Sequence, residues 1–158
     1  MGYYDTAQIC QNGHKINSSF TEYPQFNQKF CSDCGAKTIT TCQSCNTKIR
    51  GYYSDSIVIA PYVVPSYCHE CGAAYPWTSG ILEAANLLAE EFDELDEAEI
   101  EKLKGTLPDL IHNTPKTKVA ETRFKKIMRK VGIESYSAMR ELLVDVTSEA
   151  IKKSLFPD

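Results

Sequence analysis

The sequence predicts an α+β protein, with a small region of short β-hairpins at the front and a three- to four-helix bundle behind it. Three observations carry that prediction. Up to Trp77 the chain consists of short β-branched and aromatic runs divided by turn residues. All seven cysteines fall in that same stretch, six of them in pairs two residues apart. Beyond Trp77, long charged runs carry apolar residues at helical spacing. The shift in composition divides the 158 residues into a front region, 1–77, and a back region, 78–158.

In the front region QKF before Cys31, KTITT after Gly35, KIRGYY after Asn46 and IVIAPYVV before Pro65 read as strands. A region this small, with so few apolar residues, buries too low a fraction of its surface to hold a core unaided. It needs a staple. In the back region Thr78 or Ser79 is placed to cap ILEAANLLAEEF, whose Leu82, Ala85, Leu88, Ala89 and Phe92 share one face. LDEAEIEKLKG follows as a short acidic helix, and the breaker-rich stretch from Gly105 to Pro115 interrupts the pattern. Thr114-Pro115 starts the next helix, which stops at Gly132 and turns Ala120, Phe124, Ile127, Met128 and Val131 inward. A last helix, ESYSAMRELLVDVTSEAIKKSLF, buries Met139, Leu142, Leu143, Val146 and Ala150 and ends at Pro157.

The composition, 42% hydrophobic and 24% charged, is that of a soluble globular protein. No apolar run approaches the roughly 18 to 20 residues of a membrane span. The opening MGYYDTAQIC lacks the charged and apolar parts of a secretory signal. Met1-Gly2 with Thr6 fits a loose myristoylation pattern, but without a polybasic cluster or a second lipidated cysteine one acyl chain anchors only weakly, so Gly2 is read as plain sequence. The expected setting is cytoplasmic, with no membrane partner. In that reducing environment closely paired cysteines point to metal binding rather than to disulfides.

Two residues between cysteines let both thiolates reach one metal from a tight turn, and the residue after the second cysteine takes a left-handed backbone so that nearby amides can face the sulfurs. Gly35, Gly72 and Asn46 occupy those places. In CQNGH the longer gap suits an imidazole, with Gly13 freeing the turn before His14. The four knuckles supply eight ligands: Cys10, His14, Cys31, Cys34, Cys42, Cys45, Cys68 and Cys71. Tetrahedral coordination divides them into two closed sites, one with three cysteines and a histidine and one with four cysteines, and predicts two Zn2+ ions. Paired knuckles on hairpins favour zinc over an iron-sulfur cluster. Closed zinc sites contribute on the order of 10 to 16 kcal/mol of folding energy, enough to replace the missing core. Two pairings remain open. In series, Cys10, His14, Cys31 and Cys34 share one ion and Cys42, Cys45, Cys68 and Cys71 the other, as a double zinc ribbon; in a cross-brace the first and third knuckles share one ion and the second and fourth the other.

At these knuckles the chain resembles a bacterial zinc-ribbon family catalogued as a domain of unknown function, DUF2321. The likeness runs through YDTAQIC and NGH, QKFCSDCGAKTIT, CQSCNTKIRGYY, YCHECG and PW, then TPKTKVAETRFKK and LVDVTSEAIKK. It implies a bacterial cytoplasmic setting, the zinc count and the helical tail, and it brings no assigned reaction.

Coordination of two metals consumes every cysteine and His14, which leaves His69 inside the last knuckle and His112 at a helix end, neither with a partner visible in the sequence. The carboxylates of EEFDELDEAEIE read as a solvated helix face. No catalytic residue is expected, and the chain is not expected to be an enzyme. Binding remains. Tyr52, Tyr53, Tyr62, Tyr67, Tyr75 and Trp77 cluster around the third and fourth knuckles, and such side chains suit a protein interface. The prolines at Pro61 and Pro65 interrupt a strand edge that a partner could complete. The rival surface is the basic helix 116–130, with Lys125, Lys126, Arg129 and Lys130 facing nucleic-acid phosphates. Against it stands a net charge of −4, which two dications and the loss of seven thiol protons move to about −7. The expected function is a non-catalytic adaptor or scaffold that binds a protein partner, with the bundle as a second docking or self-association face. A cross-brace finger recruiting a conjugating enzyme is the third reading.

Overall fold

A computed structural model describes residues 2–57 and 60–157. The chain divides into two compact units, one up to Gly80 and one from Ile81 onward.

Among the described residues the first unit holds five short strands: β1 Tyr4–Thr6, β2 Gln8–Cys10, β3 Lys15–Asn17, β4 Thr38–Ile39 and β5 Arg50–Tyr53. All pairings are antiparallel, in the order β3-β2-β4 in one sheet and β1-β5 in the other. Ile9 faces Ile39 and Cys10 faces Thr38 across β2 and β4. KTITT and KIRGYY thus contribute β4 and β5, whereas the QKF run supplies only an isolated bridge between Phe30 and Lys37. IVIAPYVV is not a strand at Ile57 or from Ala60 to Val64, where Pro61 removes a ladder donor; Val58 and Ile59 lie outside the described residues. The N-terminal strands β1 to β3 are additional to those expected.

Ala7, Ile9, Ile49, Tyr75 and Trp77 form the centre of this unit, together with Cys42 and Cys68. Trp77 and Tyr75 stack with ring centroids 4.8 Å apart. The loop between β3 and β4 is closed by polar side chains. Asn17 donates from Nδ2 to the Tyr23 carbonyl and to Asn27 Oδ1, both at 2.8 Å. The buried Asp5 carboxylate accepts from the amides of Thr6, Thr21 and Glu22 at 2.6, 3.1 and 3.0 Å.

Five helices follow: α1 Pro76–Glu90, α2 Glu97–Ile111, α3 Lys116–Met128, α4 Ile133–Leu143 and α5 Glu149–Leu155. The unit boundary falls within α1. That helix starts at Pro76, two residues before the expected cap, because proline is pre-set for the first helical position. Thr78 is fully buried inside the helix, and its hydroxyl donates to the Ser66 carbonyl at 2.8 Å. A capping box at Asp96 and Glu99 opens α2, which runs past Gly105 and Pro108 to Ile111. Leu103, Leu107, Leu110 and Ile111 continue its buried face through the expected break, so packing outweighs the lost proline hydrogen bond. Thr114 accepts the Lys116 amide at 3.2 Å, as the Thr-Pro start requires. The expected last helix is two. It breaks after Leu143, and Ser148 caps α5 by accepting the Ile151 amide. The break rotates the final segment, exposing Ala150 and burying Ile151 and Leu155 in its place. Phe92, Leu103, Leu107, Leu110, Phe124, Met139 and Leu143 centre the core of this second unit.

Candidate metal centres

Three of the four knuckles share one backbone plan. The amide of the first cysteine donates to the carbonyl five residues on, in Cys31 to Ala36, Cys42 to Thr47 and Cys68 to Ala73, each at 2.8 Å. The residue after the second cysteine returns a bond to the first cysteine's carbonyl, from Gly35, Asn46 and Gly72, and takes a positive φ of 76°, 65° and 75°. The left-handed turn after each pair is therefore present where the sequence places a permissive residue. Around Cys10 the same plan closes one residue earlier, with Cys10 donating to His14 and Gly13 donating to Cys10. Gly13 has φ +90°, and a Cβ there would stand 2.9 Å from that of Trp77.

These turns gather the eight predicted ligands into two groups, Cys10, His14, Cys31 and Cys34, and Cys42, Cys45, Cys68 and Cys71, each with its ligand atoms within 4.8 Å of one another. The pairing is in series. The cross-brace alternative is incorrect for this chain, because β2, β3 and β4 bring the first two knuckles together before the chain reaches the third.

The spacings fit one ion in each group. Sulfurs at about 2.3 Å from a tetrahedral metal stand about 3.8 Å apart, and a sulfur and an imidazole nitrogen about 3.5 Å. Cys10 and Cys34 are separated by 3.7 Å, Cys42 and Cys71 by 3.7 Å, and Cys45 and Cys68 by 3.6 Å. His14 Nδ1 lies 3.4 Å from Cys10 and 3.6 Å from Cys31, which makes Nδ1 the nitrogen placed to ligate an ion there. Each group has two buried ligands and two that face solvent.

The sulfurs are surrounded by donors suited to thiolates. The Cys34 thiol is drawn down to about 6, chiefly by the Ala36 amide and then by the Asn12 side chain, whose Nδ2 donates to it at 3.3 Å. The amides of Cys71 and Glu70 draw Cys68 down to about 6. Cys71 moves the other way, up to about 12: the Ala73 amide lowers it, but desolvation and the thiols of Cys45, Cys42 and Cys68 outweigh that pull. Burial raises Cys10 against the His14 and Asn12 amides. Neighbouring thiols cannot all ionise without a cation between them, and a divalent ion removes that conflict. Asn12 and Thr47, whose Oγ1 lies 3.2 Å from Cys45, complete the surroundings and were not among the expected residues. The signal for both was a polar residue two places after a cysteine.

The aromatic candidates separate. Trp77 is only 5% exposed, and its indole donates to the Pro65 carbonyl at 2.9 Å, so it is a core residue rather than a docking one; Tyr75 is likewise buried. Tyr52, Tyr62 and Tyr67 are half-buried. The hydroxyls of Tyr52 and Tyr62 donate to the Ala60 and Arg50 carbonyls. Tyr53 remains exposed, its ring 5.0 Å from that of Tyr4. Lys125, Lys126, Arg129 and Lys130 are all exposed on or just beyond α3. Lys130 is paired with Glu99 of α2, and Lys125 donates to Ser154 at 3.0 Å. His69 is exposed, and the His112 ring lies 2.6 Å from the Pro108 carbonyl, where it closes the end of α2. No helix among the described residues is long and apolar enough to cross a membrane.

Searches of curated proteins and of solved structures found no match to the chain. Residues 3–155 match the model of a family described as "uncharacterized protein conserved in bacteria", DUF2321, and the chain belongs to that family.

Proposed function

We propose that the chain is a two-zinc adaptor, a scaffold that binds another protein and performs no chemistry of its own. The carrying observation is the closure of both clusters. Four protein ligands converge on each centre, so a tetrahedral ion keeps no corner for water or substrate. Every cysteine belongs to one of the two groups, which leaves no thiol as a nucleophile. The mixed set of one imidazole and three thiolates, with tetrahedral spacing, favours zinc. Exposed aromatics on the first unit, among them Tyr4, Phe26, Phe30 and Tyr53, support a protein-binding role.

Nucleic-acid binding through Lys125, Lys126 and Arg129 is the competing reading. The acidic total and the Lys130–Glu99 pair, which turns part of α3 toward the acidic α2, weigh against it. The test is to isolate the full chain, count its metal by native mass spectrometry, and use it as bait after nuclease treatment. Two zinc ions and one stoichiometric protein are expected. Fewer ions, or a retarded nucleic acid released by charge reversal at those three residues, would overturn the reading.

A further inference from the structure

The geometry points to a docking groove on the first unit for an acidic protein segment that carries an apolar or aromatic anchor, a proposal that rests on the adaptor reading. Two adjoining depressions, of about 420 and 380 Å3, lie along the loop between β3 and β4 and share Asn27 and Gln28. Phe20, Phe26 and Phe30 supply apolar walls, and Lys15, Lys29 and Lys37 are the charged lining among the described residues. Phe26 and Phe30 are 59% and 61% exposed, far more than a phenylalanine serving only as core. No carboxylate among the described residues lines either depression, in a chain where acids outnumber bases by 21 to 17.

The floor narrows the class of ligand. Gln8 Nε2 donates to the Gln28 carbonyl at 2.7 Å and to Thr38 Oγ1 at 2.9 Å, while Gln8 Oε1 accepts the Gln28 amide at 3.0 Å. Thr38 Oγ1 donates to the Gln28 carbonyl at 2.7 Å. These polar groups are already engaged with one another, so they offer little to read the edge of a base. The depression walled by Phe20 and Phe30 presents apolar area bordered by the ammonium groups of Lys29 and Lys37, and the adjoining one, with Asn17, Ser18 and Gln25 beside Lys15 and Phe26, is more polar. A buried anchor supplies affinity there, and flanking carboxylates supply orientation and rate of encounter. The polar network also fixes the floor before a ligand arrives, which lowers the ordering cost of binding.

The test uses the metal-loaded full chain and a short fluorescein-labelled peptide with a central phenylalanine between runs of glutamate. A saturable rise in anisotropy is expected. Phe30→Ala and the double variant K29E/K37E should each weaken it about tenfold or more, Lys48→Glu outside the groove should leave it unchanged, and a central glycine in the peptide should abolish it. Metal content and Trp77 fluorescence confirm that each variant is folded, and the glycine peptide tests the anchor without altering the protein. Absence of saturable binding, or binding indifferent to these changes, overturns the groove. Tighter binding of oligothymidylate lost in the same variants assigns the surface to nucleic acid, and a dimer dissolved by K29E/K37E assigns it to a second copy; either result overturns the proposal. A native partner that remains bound to K29E/K37E removes the groove but leaves the adaptor reading intact. Failure of the wild-type chain to capture any protein removes the adaptor reading, while the peptide result still decides the groove.

Discussion

At the residue scale, a few buried polar side chains determine whether the hairpins have a defined shape. Asp5 is the clearest. Burial raises its pKa, but the amides of Glu22, Thr6 and Thr21 outweigh that effect and hold the carboxyl below its ordinary value. Asp5→Ala would leave those amides without their acceptor, and denaturant unfolding at neutral pH should show a loss of about 2 kcal/mol. The folded pKa is the lower one, so this contribution is complete above the unfolded value of about 3.9 and disappears as the pH falls through the folded value. Gly13 works by absence instead: its left-handed φ and the nearness of Trp77 leave no room for a side chain in the turn that delivers His14.

At the element scale, the knuckles were legible because their chemistry is local. A cysteine pair two residues apart followed by Gly35, Asn46 or Gly72 specifies a turn within six residues, and the structure repeats it three times. Strands β1 to β3 were not legible. They are three residues each and contain Asp5, Gln8 and Asn17; β1 pairs with β5 and β2 with β4 far along the chain, and β3 closes only a short hairpin with β2. The opposite error occurred at IVIAPYVV, where apolar content suggested a strand that the described residues, Ile57 and 60–64, do not form. In the second unit the inward faces of α1 and α3 followed from spacing, whereas the break after Leu143 has no glycine or proline to announce it. Pro108 shows the limit of breaker rules. It sits exposed in the last turns of α2, a helix maintained by the buried face beneath it. Pro108→Ala should restore a backbone donor to α2 and raise stability by about 1 to 3 kcal/mol, visible as a higher melting temperature.

At the scale of the whole molecule, the two units rest on different physics. The second has an apolar core of leucine, phenylalanine and methionine side chains, while the first gathers a much smaller set around its cysteines. Removing metal should therefore unfold the first unit and spare the second. The chain's single tryptophan lies in the first core, within reach of the turn that carries His14. Excess chelator should shift Trp77 emission toward that of an exposed indole while most helical ellipticity persists; simultaneous loss of both signals would show that the units share one fate.

The alternation of buried and solvent-facing ligands has its own consequence. Cys10, Cys31, Cys42 and Cys68 would hold an ion from within, and His14, Cys34, Cys45 and Cys71 would close each site from the water side. A small competing thiol can loosen the outer pair one bond at a time while the inner pair still holds the turns. Release of a bound ion should then accelerate with competitor concentration instead of waiting for the fold to open.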